Sequence, residues 1–193
     1  MTKFRIVIGI SGASGALIPL RILRLLADTG LVEAHVVVSS AAERTLAHEV
    51  GEDAIDQIKQ LACRFYVHDD IGAAIASGSF STDGMIVAPC SMRTLSAIAA
   101  GTSDNLLLRA ADVHLKERRK LVLLARETPL HLGHLRNMCS VTEMGAVIMP
   151  PVPAFYHRPK TVDEIVDHLA ARAIDQLQLP IVSGVRAWNP GGK

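Results

Sequence analysis

The chain has 193 residues, 49% of them hydrophobic and only 4% aromatic, with 20 Lys and Arg against 19 Asp and Glu for a formal charge of +1. That length suits a single domain with an aliphatic core, and the balanced charge excludes a field that would hold nucleic acid or an anionic membrane surface. Three cysteines, Cys63, Cys90 and Cys139, are too few and too widely spaced for a disulfide framework or a CxxC metal knuckle, and no apolar run reaches about 18 residues, so a cytoplasmic protein without signal peptide or membrane span is expected.

Phe4 to Ile10 has the apolar density of a buried strand, and Leu17 to Ala27 carries Leu and Ile at helical spacing. Between them lies Gly9-Ile10-Ser11-Gly12-Ala13-Ser14-Gly15. Glycines there permit a tight turn, and the free amides of a helix start form an anion site to which Ser14 adds a hydroxyl, so a phosphate is the natural ligand. The sequence is neither GxGxxG at dinucleotide spacing nor a Walker A loop, and the plainer alternative is a strand-to-helix turn that needs glycines for its own sake. Ala34 to Val38 reads as the second strand, followed by Ser39-Ser40 and helix-like Ala41 to Glu49.

Gly84 to Ala88, Leu121 to Ala125 and Ala146 to Met149 are further buried-strand runs, with helices expected at Met92 to Ala100, Leu106 to Glu117 and Val162 to Leu177. Alternation of this kind gives an α/β fold, a doubly wound parallel sheet in one domain over residues 1–185, with a tail at 186–193. In such sheets ligands gather at the carboxyl ends of strands. Ser39 and Pro89-Cys90-Ser91-Met92-Arg93-Thr94 follow two of those ends; Ser91 and Thr94 also suit an N-cap and a first helical turn. Arg126-Glu127 follows a third, where a guanidinium can fork onto a phosphate and a carboxylate can handle a proton, or the two can be a surface ion pair. A rigid turn, Met149-Pro150-Pro151-Val152-Pro153-Ala154-Phe155-Tyr156, follows a fourth.

Three further features carry less. Cys90 lacks a local His partner and reads as a packing residue. Lys116 sits in a charge run at a helix end, Lys116 to Lys120, which is normally a solvated face. His131 and His134 are three apart, yet no third ligand completes a recognised metal set, so no metal is expected.

Gly12-Ala13-Ser14-Gly15-Ala16, Pro89 through Leu95, Asp104-Asn105-Leu106 through Lys116-Glu117-Arg118, Arg126 through His131, and Met149 through Tyr156 and Pro159 together resemble the UbiX family of flavin prenyltransferases. That group includes chains formerly described as the B subunit of phenolic acid decarboxylases. The resemblance runs from about Phe4 to Trp188. It implies a Rossmann-like (flavodoxin-like) domain, assembled as a homododecamer, that takes reduced FMN and dimethylallyl monophosphate. A prenyltransferase of this kind joins the C5 unit to N5 and then C6 of the flavin, giving prenylated FMN for a UbiD-type decarboxylase.

By the same resemblance Gly12, Ala13, Ser14, Ser39, Ser91, Met92, Arg93, Thr94 and Arg126 match FMN-contacting positions. Ser14, Glu49, Lys116, Arg126, Glu127, Tyr156 and Arg172 match the catalytic and prenyl-phosphate set, with a neighbouring subunit completing the site. The chemistry is coherent without a metal: Lys116, Arg126, Tyr156 and Arg172 supply charge and hydrogen bonds to a departing phosphate, and Ser14 and Glu127 handle protons. The flavin face and Trp188 are candidates to shelter an allyl cation; Trp188 equally suits an anchor that packs the tail on a neighbour. The chain departs from the family pattern at Leu17-Ile18-Pro19-Leu20 and at Ser40, where lysine is frequent, which bears on site shape and donor preference. Two alternatives stand beside this reading: an FMN-dependent cysteine decarboxylase of the related flavoprotein group, whose Pro-Ala-Ser-Ala-Asn segment this chain lacks, and a non-catalytic FMN carrier subunit of a decarboxylase complex.

Overall fold

A computed structural model describes residues 3–181 and 184. In chain order the elements are β1 (Phe4–Ile10), α1 (Leu17–Asp28), β2 (Val32–Val38), α2 (Ser40–Glu49), α3 (Ala54–Leu61), β3 (Arg64–Tyr66), β4 (Gly84–Cys90), α4 (Met92–Ala99), α5 (Leu106–Lys116), β5 (Leu121–Ala125), α6 (Leu132–Glu143), β6 (Val147–Ile148) and α7 (Val162–Asp175). Short 3-10 turns occupy Ala74–Ala76 and Phe155–His157.

The strands form one sheet in the order β3-β2-β1-β4-β5-β6, with every pairing parallel. Central strands of such a sheet are covered on both faces and need continuous apolar sequence. β4 and β5 are buried at every residue, and β1 over its last five. Alternate side chains feed two cores. Ile6, Ile8, Ile10, Ile86, Val122 and Leu124 pack with α1, α2, α3 and α7, while Val7, Met85, Val87, Leu121 and Leu123 pack with α4, α5 and α6. This is the doubly wound, Rossmann-like arrangement expected from the sequence.

β1 is flanked by β2 on one side and β4 on the other. The chain winds outward from β1 in one direction and then in the other, so the loops leaving β1 and β4 diverge and open a crevice at their carboxyl ends. The fold thereby creates a site before any side chain is considered.

Three elements go beyond the expected set. α3 has only eight residues; its Ala54 and Ile58 are buried, and packing against α1 and α2 gives it the stability that so short a helix lacks in isolation. β3 has three residues and is a strand because His35, Val36 and Val37 of β2 pair with it. α6 buries only Val141, so its sequence carries a weak amphipathic pattern. Elsewhere the boundaries shift slightly: β2 begins at Val32, β4 extends to Cys90 and α7 ends at Asp175. The expected tail at 186–193, with Trp188, lies outside the described residues.

Candidate active site

The switch-point crevice is stitched by backbone and by one buried hydroxyl. Ser11, just past β1, donates its Oγ to the Pro89 carbonyl at 2.8 Å and accepts the Ser91 amide at 2.7 Å. The Ser39 amide donates to the Ile10 carbonyl at 2.9 Å, and the Arg126 amide to the Cys90 carbonyl at 3.0 Å. The ends of β1, β2, β4 and β5 are therefore locked to one another.

A cleft of about 460 Å³ opens there, with Gly12, Ser39, Ser91, Arg93, Thr94 and Asn105 in its walls. Three of these residues are helix caps: Ser39 accepts from Ala42 N on α2, Ser91 from Thr94 N on α4 at 3.3 Å, and Asn105 from Leu108 N on α5 at 3.1 Å. Three helix N-termini thus converge on one cleft, each with its positive dipole end toward it. Ser91 and Thr94 are cap and first-turn residue, and they line the cleft as well; the two sequence readings of these residues are compatible.

Asn105 and His68 are polar cleft residues that were not selected from the sequence as site residues. Asn105 carries a legible signal, an Asn directly before an apolar helical run. His68 carries none: it follows the three-residue β3, and its ring lines the cleft with a buried Nδ1 that has no hydrogen-bond partner among the described residues.

The glycine turn serves a different anion from the one its sequence suggests. The Gly15 and Ala16 amides at the start of α1 donate to Glu49 Oε2 at 2.9 and 2.8 Å. The carboxylate at the end of α2 therefore fills the place that the sequence reading gave to a phosphate. Burial pushes the Glu49 carboxyl up, but the Ala16 amide, the Ser14 hydroxyl, the Gly15 amide and the Arg126 guanidinium together hold it below the usual range. Ser14, Glu49 and Arg126 accordingly form one cluster beside the cleft. Gly12 has a packing reason: a Cβ there would lie 2.5 Å from Ala41 Cβ and 2.9 Å from its carbonyl carbon. Ala13 is half-buried, and Met92 packs half-buried against the core on the α4–α5 face.

The remaining members of the expected set lie elsewhere on the chain. Glu127 is exposed beside Arg126 and accepts from its neighbour Thr128 N at 3.0 Å. Lys116 is in the last turn of α5, paired with Glu117. That end of α5 leads into the amino end of β5, whereas Arg126 leaves its carboxyl end. Lys116 and Arg126 of one chain are thus on opposite edges of the sheet. Arg172 is on α7, its guanidinium 2.6 Å from Asp175 Oδ2. Tyr156 sits in the exposed 3-10 turn between β6 and α7, its ring 4.2 Å from that of His157, which lies 4.7 Å from the ring of His168 on α7.

Cys90 is wholly buried and its thiol is pushed up to about 12 by burial, which removes it as a nucleophile at neutral pH. His131 caps α6 and stacks on His134 with ring centroids 3.6 Å apart. Among the described residues no group of three His, Cys, Asp or Glu side chains is gathered as a metal would require, and no helix among them is long and apolar enough to cross a membrane.

The flavoprotein family matches residues 1–174. The flavin prenyltransferase UbiX of Thauera aromatica is 56% identical over 177 residues, which span 92% of this chain and 90% of that protein. The crystal structure of AnUbiX (PadA1), in complex with FMN and dimethylallyl pyrophosphate, superposes with a TM-score of 0.93 at 44% identity, covering 98% of this chain and all of that one. A dodecameric FMN-dependent UbiX-like decarboxylase from Escherichia coli O157:H7 gives 0.90 at 45% identity over 96% of this chain and all of that one. With the crevice, its capped helices and its carboxylate cluster at the switch point of the same fold, this chain belongs to the flavoprotein family and, within it, to the UbiX-type flavin prenyltransferases.

Proposed function

We propose that the protein transfers a dimethylallyl group from dimethylallyl monophosphate to N5 and C6 of reduced FMN, and that the prenylated FMN so made is passed to a UbiD-type decarboxylase. The observation that carries the reading is the Ser14–Glu49–Arg126 cluster set directly beside a cleft into which three helices point their N-termini.

The cleft suits a flavin mononucleotide. Its volume of about 460 Å³ is in the range of small-molecule sites, and the hydroxyls of Ser39, Ser91 and Thr94 with the Arg93 guanidinium offer a phosphomonoester more donors than one helix end provides. Gly12, Ala13, Ser14, Met92 and Arg126 complete the flavin set. When bound, reduced FMN supplies the nucleophilic nitrogen and carbon.

The residues of this chain do the rest. Arg126, Tyr156, Arg172 and a Lys116 contributed by a second copy hold the prenyl phosphate and stabilise the charge that collects on it as the allylic C–O bond breaks. The position of Lys116 on the opposite edge of the sheet supports a shared site, since one chain does not bring it to its own Arg126. Glu49, kept ionised by the α1 amides and Arg126, holds Ser14 in place, and Ser14 and Glu127 move protons at the flavin. The assembly is a homododecamer and works in the cytoplasm.

The test is anaerobic incubation of purified protein with reduced FMN and dimethylallyl monophosphate, then mass spectrometry of the extracted flavin. A flavin heavier by one C5 unit, absent with Glu127→Gln or Tyr156→Phe protein, is expected. Unmodified FMN with both the monophosphate and the diphosphate donor would sink the reading.

A further inference from the structure

Residues 77–82 lead from the Ala74–Ala76 turn toward β4 and are neither helix nor strand. They are nonetheless braced from α5. Arg119, just past that helix, donates from Nη2 to the Gly78 carbonyl at 2.7 Å and from Nη1 to the Phe80 carbonyl at 3.0 Å and Thr82 Oγ1 at 3.1 Å. Arg109 on α5 donates from Nε to the Ala76 carbonyl at 3.1 Å, and Thr82 Oγ1 lies 3.0 Å from Nε2 of the buried His114. Two planar guanidiniums, each with a fixed set of donors, make this loop a firm surface.

Lys116 and Glu117 rest on that surface. A Cβ at Gly78 would lie 2.7 Å from Lys116 Nζ, and closer still to Glu117 Oε1, the atom that pairs with Lys116. Gly78 has no positive φ, so backbone freedom does not call for a glycine there; room for the two charged ends does. The Glu117 carboxyl is held below its usual range, first by the hydrogen bond from Lys116 and then by the charge of Lys116. The basic run that reads from the sequence as a solvated face is thus divided in use: Arg119 braces the loop and Lys116 is seated against it.

We infer that Gly78 and Glu117 form a seat that fixes the Lys116 ammonium where it must stand to meet the prenyl phosphate of a neighbouring copy, which makes both of them positioning residues. The inference rests on the reading that Lys116 binds that phosphate. An exposed lysine on a flexible four-carbon stem otherwise spreads its charge over many rotamers, and each must be given up on binding; a seated one is already in place.

The test compares wild type, Gly78→Ala, Lys116→Ala and the double variant, measuring kcat/KM for dimethylallyl monophosphate, the FMN dissociation constant, Tm and oligomer mass. The added methyl must push Nζ away by about 0.7 Å, from 2.7 Å to ordinary contact at 3.4 Å. Misplacement by about 1 Å costs as much as about 100-fold, so Gly78→Ala is expected to lower kcat/KM about tenfold with the FMN dissociation constant within about twofold of wild type. The crowded atoms are the ends of flexible side chains, so Tm should stay within about 2 °C of wild type. In the Lys116→Ala background there is no ammonium to move, and adding Gly78→Ala should cost nothing further.

A wild-type kcat/KM in Gly78→Ala overturns the inference. So does an equal loss in the Lys116→Ala background, or a loss of FMN binding, since either marks a general structural role. If Gly78→Ala does not assemble, Glu117→Asp makes the same comparison, because it keeps the charge but draws it back by one methylene; failure of both to assemble also overturns the inference. If Lys116→Ala lowers kcat/KM and Gly78→Ala does not, only the seat fails. If Lys116→Ala is itself unchanged, the phosphate reading of Lys116 fails and takes this inference with it.

Discussion

Gly12→Ala tests whether the flavin cleft depends on contact between the first loop and α2. The added Cβ would stand 2.5 Å from Ala41 Cβ, where ordinary contacts begin at 3.4 Å, and 2.9 Å from a backbone carbon. Relief requires the loop and the α2 N-terminus to part by about 0.9 Å, the difference between those distances. Over-packing of this kind costs about 1–3 kcal/mol, and for a chain of this size each kcal/mol lowers Tm by about 2–4 °C. A fall of about 2–12 °C follows. Both sides of the contact, Gly12 and Ala41, line the cleft with Ser39, so FMN affinity should drop about tenfold, equivalent to ~1.4 kcal/mol. Differential scanning fluorimetry and flavin fluorescence titration measure the two effects on one preparation. Gly30→Ala is the control: it has φ +66° but nothing within 4 Å of an added Cβ, so it should cost about 1 kcal/mol of strain with FMN binding intact. A Gly12→Ala protein with wild-type Tm and wild-type FMN affinity would refute the steric argument.

Glu49→Gln should lose about 1 kcal/mol at neutral pH, because a carboxylate at a helix N-terminus is replaced by a neutral acceptor. The folded pKa lies below the ordinary 4.5, so this advantage of wild type is present above that value and disappears as pH falls through the folded pKa; a gap in urea midpoints that widens toward acid would contradict the account. His114 is fully buried, bonded to Ala110 O at 2.7 Å and Thr82 Oγ1 at 3.0 Å, and burial lowers its pKa to about 4. Its folded pKa is depressed, so stability is complete above the unfolded value near 6.5 and declines by up to about 3 kcal/mol as pH falls toward 4; denaturation at pH 7 and pH 4.5 should show a shallower decline in His114→Asn, and equal declines would count against the assignment. Thiol titration of native protein at pH 8 should modify exposed Cys63 and Cys139 and leave buried Cys90 untouched, with all three reacting only after denaturation.

The strands were legible because a parallel sheet buried on both faces demands unbroken apolar runs, and Phe4–Ile10 and Leu121–Ala125 supply them. β3 was not, since a three-residue strand has no period of its own and exists through its pairing with β2. α3 and α6 escaped for a related reason: one is eight residues long, the other buries a single side chain, and each is a helix through what it packs against. At the site, Ser39, Ser91 and Arg126 could be selected because each follows a strand end and strand ends converge in this class of fold. His68 could not, because a histidine after a marginal strand gives no local signal.

The sequence alone determined the α/β class, the family through its motifs, and which residue types stand at the strand ends, because these are properties of short segments and of their order. Only the tertiary structure decided how those ends are used. It gave the glycine-turn amides to Glu49, thirty-four residues beyond Gly15, and brought the caps of α2, α4 and α5 around one cleft. It also set Lys116 on the far edge of the sheet from Arg126. The gathering of those caps depends on the chain reversing its winding between β1 and β4, a long-range choice made by the burial of two apolar faces at once, which no local pattern encodes.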